Sequence, residues 1–137
     1  MFYEIDLVVP ANTLKSAPVI VPAAFVAGTI IGVSVQIPAG CASLVHTAAY
    51  DELHQVWPAN QDGDIKGDGT VVSWPDAYDV PSDNYTIQLW AWSSDDTFAH
   101  TITWRFAFLG AADAARQQRA LNALLYLDQW FSTRQGV

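Results

Sequence analysis

Residues 98–109, FAHTITWRFAFL, alternate with a period of two. Phe98, His100, Ile102, Trp104, Phe106 and Phe108 project to one side, and Thr101, Thr103 and Arg105 to the other. A stretch with one bulky apolar face and one polar face is a half-buried β-strand. Four aromatic rings on the apolar face place it at the centre of a core. His100 shares that face, so it reads as a hydrogen-bonded core or rim histidine, with a ligand or acid–base role as the alternative.

The same period continues outward along the chain. Before the Ser93–Asp96 turn, Tyr85, Ile87, Leu89 and Ala91 alternate with Thr86, Gln88, Trp90 and Trp92. Trp90 and Trp92 therefore share the parity of polar neighbours and are expected as an exposed aromatic pair, a candidate protein interface. At the other end of the chain, Tyr3, Ile5, Leu7 and Val9 line one face of a first strand, and 10–13 turn the chain. A short strand follows from Pro18 to Val21, and Ile31, Val33, Val35 and Ile37 are expected on the inner face of a third. Residues 42–50 and 52–57 read as two further strands joined tightly around Asp51. Residues 60–69 hold three glycines and read as a surface loop. A short strand near Val71–Trp74 precedes a second expected loop, 75–84, which contains two prolines. About eight strands with regular turns predict an antiparallel β-sandwich of jelly-roll or immunoglobulin-like type over residues 1–109.

From Gly110 the period changes to about 3.6, which predicts a C-terminal helix from Ala111 to about Thr133, within a segment 110–137. Ala114, Leu121, Leu124, Leu125 and Phe131 fall on one side, with Ala120, Ala123, Leu127 and Trp130 beside them. That apolar arc is too wide for a solvated tail. Either the helix packs on its own sandwich, or Leu121, Leu124, Leu125, Tyr126, Trp130 and Phe131 dock into a neighbouring subunit of a homo-oligomer.

Composition narrows the function classes. The 137 residues are 51% hydrophobic, enough for one continuous core. Twelve Asp and two Glu stand against two Lys and four Arg, a formal net charge of −8, so nothing basic is present to neutralise a phosphate backbone and direct nucleic-acid binding is not expected. No apolar run of about 20 residues is present to span a membrane, and the alternating start lacks the basic and apolar segments of a signal peptide. The chain is expected to be soluble and not exported by a classical route. Cys41, the single cysteine, excludes an intrachain disulfide and reads as a small buried apolar residue.

No constellation calls for catalysis or a cofactor. There is no nucleophile elbow, phosphate-binding glycine loop or short zinc spacing, and His46, His54 and His100 lie on separate segments. Asp62, Asp64 and Asp68, hard oxygen donors on the glycine-rich loop, form the candidate calcium site; Lys66 beside them and the absence of the EF-hand pattern weigh toward a solvated turn. Six Trp, five Tyr and six Phe also permit a carbohydrate-binding module, in which exposed Trp57, Trp74, Trp90 or Trp92 would stack on sugar rings.

Four segments, Val9–Thr13, Ile37–Cys41, Leu53–Pro58 with Asn60, Asp62 and Gly63, and Asp95–Phe106, resemble small virion proteins of tailed bacteriophages over roughly residues 3–109. These are strand-and-turn signatures without catalytic meaning, and the helix after Gly110 is not part of the pattern. The resemblance implies a non-enzymatic structural protein, a capsid decoration or head- or tail-associated subunit. It further implies assembly in the host cytoplasm, with other virion proteins as partners and many symmetric copies.

Overall fold

The computed structural model describes the backbone of residues 1–135 and the side chains of residues 1–129. Eight strands precede one helix: β1 Phe2–Val9, β2 Val19–Phe25, β3 Gly28–Ile37, β4 Val45–Asp51, β5 His54–Trp57, β6 Thr70–Val80, β7 Tyr85–Ser93, β8 His100–Gly110 and α1 Ala111–Gln135. They form two four-stranded sheets, ordered β1-β8-β3-β6 and β2-β7-β4-β5.

All pairings are antiparallel, and they nest. β4 pairs with β5, β3 with β6, β2 with β7 and β1 with β8. The chain is thus one long two-stranded ribbon, turned back at the hairpin where Glu52 takes a φ of 55°. Rolling that ribbon brings β3 against β8 and β4 against β7, which closes the two sheets. This is the jelly-roll connectivity, so the expected sandwich takes that form and not the immunoglobulin-like one.

β8 is the central strand that its alternation predicts. Ile102, Trp104 and Phe106 are fully buried and Phe108 nearly so. They meet Leu7, Val9, Val33 and Val35 of their own sheet and Phe25, Ile87 and Leu89 from the facing one. Phe25 and Phe106 meet edge to face at 5.1 Å. One polar chain crosses this core: Trp104 Nε1 donates to Thr47 Oγ1 at 2.9 Å, and Thr47 Oγ1 donates to the Trp90 carbonyl at 2.7 Å. Both buried groups are thereby satisfied, as burial away from water requires. Cys41 is fully buried, and burial pushes its thiol above the usual range.

Several expectations are corrected. Ile31 does not face inward: a register shift between Ile30 and Gly32 places Ile30 in the core and leaves Ile31 exposed. The second strand runs on to Phe25, beyond the expected Val21. Residues 75–80 are strand and not loop, because Pro75 sits in β6 at the edge of its sheet, where a missing N–H costs no ladder bond. Phe98 precedes β8 and is exposed. The helix runs to Gln135, two residues past the expected end.

Candidate functional site

β1 and β2 meet along one edge of the sandwich. At the opposite edge, the end strands β5 and β6 line a cleft of about 580 Å³. Val72, Trp74, Asp76 and Tyr78 reach it from β6 by strand alternation, and Val56 and Trp57 from β5, with Ile65 below. The Trp57 ring lies 5.3 Å from Tyr78 and 6.5 Å from Trp74. Trp57 is buried and Trp74 half-buried, so neither is the open stacking platform that a sugar-binding reading expected.

The polar groups in the cleft already have partners. Trp57 Nε1 donates to Asp76 Oδ2 at 2.7 Å, and Asp76 Oδ1 accepts from the Ala77 N–H. Gln55, buried, donates its amide to the carbonyls of Pro58, Asn60 and Gly63, which fixes the loop beyond the cis Trp57–Pro58 bond. What remains on the lining is mostly apolar, with exposed His54 and Ala59 at the rim.

Asp51 Oδ2 accepts hydrogen bonds from the hydroxyls of both Tyr78, which lines the cleft, and Tyr85, which does not. The acceptor joins β6 of one sheet to β4 and β7 of the other. Burial first, and then the bond to Asp51, pushes the Tyr78 phenol well above its ordinary range; the bond to Asp51 first, and then burial, pushes Tyr85 up to about 12. Both hydroxyls are held as neutral donors.

The calcium candidates serve separate ends. Asp68 Oδ1 accepts from the Gly40 N–H, Asp64 lies 3.1 Å from His46 Nδ1 without hydrogen-bond geometry, and Asp62 is an exposed turn residue at φ 64°. No group of three or more His, Cys, Asp or Glu side chains converges among the described residues. The three histidines are likewise dispersed. His46 stacks on Trp92, His54 stands at the cleft rim, and His100 bonds Asp95 through Nε2 at 2.7 Å. That bond, followed by the Thr97 N–H, holds the Asp95 carboxyl below its usual range.

The expected exposed tryptophan pair does not form. Trp92 is buried under His46 with the Lys15 ammonium 5.2 Å above its ring, and Trp90 is half-buried against Tyr50 at 4.4 Å. Parity alone misread them because long side chains of β4 cover that outer face.

The helix shows the opposite error of burial. Leu121, Leu124, Leu125, Tyr126 and Leu127 are each about half or more exposed, at 50%, 65%, 54%, 67% and 49%. The reading in which α1 packs along its own sandwich is therefore not what the fold adopts. Trp130 and Phe131 lie outside the described side chains. No described helix is long and apolar enough to cross a membrane. Trp57 and Trp74 were named from sequence as candidate sugar contacts, but not the cleft that joins them, because β5 and β6 come together only through the rolled ribbon. The cleft's one local signal was the alternation Val72, Trp74, Tyr78, Val80, hidden behind Pro75.

No family model matches the chain, and no curated protein matches its sequence. Among solved structures, it is similar to a CBM4 structure at 12% identity and a TM-score of 0.43, over 77% of this chain and 82% of that one. It is similar to a chain of the cyanophage Pam1 capsid asymmetric unit at 9% identity and a TM-score of 0.42, over 78% and 80%. The pre-peptidase C-terminal domain of a Bacillus anthracis collagenase gives 9% and 0.42, over 76% and 87%. The likeness to all three is that of a β-sandwich.

Proposed function

We propose that this chain is a non-enzymatic structural protein of a tailed-phage virion, a capsid decoration or head- or tail-associated subunit that works through contacts with copies of itself and with other virion proteins. The observation that carries the assembly part is α1. Five large apolar side chains between Leu121 and Leu127 stand in solvent on a 25-residue helix. Helices in proteins draw most of their stability from packing an apolar face, and an exposed apolar patch of this kind marks a contact surface. The absence of catalysis is supported by the use to which the polar groups are put: Asp51, Asp76, Asp95 and His100 each hold neighbouring elements together.

The full-length chain carrying Leu121→Glu, Leu124→Glu and Leu125→Glu tests this beside the unaltered chain. Light scattering is expected to give an oligomer for the unaltered protein and the 15.0 kDa monomer for the variant. A monomer in both cases removes the assembly reading. A carbohydrate-binding module is the second reading, favoured only by the half-buried Trp74 and Tyr78 rings on the cleft wall, since Trp57 is buried. It expects quenching of the fluorescence of half-buried Trp74 on adding soluble glycans, and a flat titration across varied glycans removes it.

A further inference from the structure

We infer that α1 of one copy seats in the β5–β6 cleft of the next, joining subunits head to tail. The inference rests on the assembly reading above and names the surface that receives the helix.

Charge is partitioned along the chain in the sense that such a contact needs. Residues 1–110 carry twelve acidic and three basic side chains, net −9; residues 111–137 carry Asp113 and Asp128 against Arg116, Arg119 and Arg134, net +1. At the cleft itself, Asp76 is on the lining and Asp51 bonds the hydroxyl of Tyr78, and no Lys or Arg lines it. A segment of net positive charge is drawn to the acidic body of a neighbour more than to another copy of itself.

Shape and polarity agree. The cleft lining is mostly apolar, and Asp76 and Gln55 are already bonded within the chain, so a polar ligand such as a sugar finds few open partners. An apolar side chain needs none. Successive residues on a helix are turned by 100°, so Leu121, Leu124, Leu125, Tyr126 and Leu127 spread over more than half of the circumference. A flat sheet face covers one side of such a helix, whereas a cleft covers more. α1 is about 38 Å long and leaves the sandwich from the end of β8, which carries its apolar segment out of the reach of its own body.

A helix-to-cleft contact uses different surfaces on the two partners, so each copy is at once donor and acceptor. Two full-length variants test it. Leu124→Glu with Leu125→Glu disables the donor; His54→Arg with Ala59→Arg, both at exposed rim positions, disables the acceptor. Each alone is expected to lose self-association by about tenfold or more. Mixed in equal amounts they are expected to form a one-to-one complex and nothing larger, because one intact helix meets one intact cleft.

Other results overturn the inference in distinguishable ways. A rim variant that assembles like the unaltered protein, while the helix variant does not, means that helices associate with one another; the assembly reading then stands and the cleft does not. Two inactive variants that fail to complement exclude the head-to-tail contact. An unaltered chain that is monomeric removes the assembly reading itself, and glycan-dependent fluorescence quenching abolished by the rim variant assigns the cleft to a sugar.

Discussion

β8 and α1 follow one another without a break at Gly110, both rich in large apolar side chains, and their fates are opposite. Along β8 the inward residues Ile102, Trp104 and Phe106 lose all contact with solvent; along α1 Leu124 and Tyr126 keep about two-thirds of theirs, 65% and 67%. The strand finds its partners in the same chain, on both flanks and across the sandwich. The described side chains of the helix find none of comparable extent. Apolar content alone therefore does not say whether a segment is buried within the fold; the position of complementary surface in the same chain does.

The largest expected effect lies on the strand. Trp104→Ala removes a fully buried ring and its bond to Thr47, and is expected to cost about 4 kcal/mol in urea unfolding. A loss below about 1 kcal/mol would mean that the centre of the core lies elsewhere.

Next comes the acceptor shared by Tyr78 and Tyr85. Asp51→Ala deprives two tyrosine hydroxyls of a charged acceptor and is expected to cost about 3 kcal/mol. It also changes the alkaline limb. An unfolded tyrosine gives up its proton near pH 10, whereas folded Tyr85 is held up to about 12, so this contribution is complete below about pH 10 and is lost as pH rises toward 12. Alkaline unfolding is expected to be shallower in the variant. The acid limb has the opposite sign: Asp95 is held low, so its contribution is present above the ordinary carboxylate range and is lost as pH falls. That limb is expected to survive Asp51→Ala.

Thr47→Val is smaller, about 2 kcal/mol, since it leaves the Trp104 N–H and the Trp90 carbonyl without their shared partner while keeping the shape. The smallest effect sharpens the contrast most. Leu124→Ala is expected to change the unfolding free energy of the monomer by no more than about 0.5 kcal/mol, because the side chain packs on nothing in its own sandwich. A loss of about 2 kcal/mol at concentrations where the chain is monomeric would place the helix on its own body after all.

What the sequence reveals follows the same line. Alternation along β1, β7 and β8 was legible because each has one face in the core throughout. β6 was not, because Pro75 is a breaker in most strands and is tolerated here by its edge position. Ile31 was misplaced by a single inserted residue, which reverses every side-chain direction before it and leaves no local mark. Trp92 has the parity of an outward residue, yet His46 and Lys15 cover it, and neighbours on other strands are invisible to a period. Leu121, Leu124, Leu125 and Tyr126 were identified as candidates for a contact, and their exposure is what that reading requires.

The nested ribbon also sets an order in time. Asp51 lies against His54, but Phe2 lies against Ala107. Contacts close in sequence form early, and those distant in sequence carry the cost of closing the chain between them. At synthesis rates of about 5–20 residues per second, β1 leaves the ribosome roughly 5–20 seconds before the strand it must pair with exists. The ribbon is therefore expected to zip from its hairpin outward, with β1, made before its partner β8, among the last strands secured.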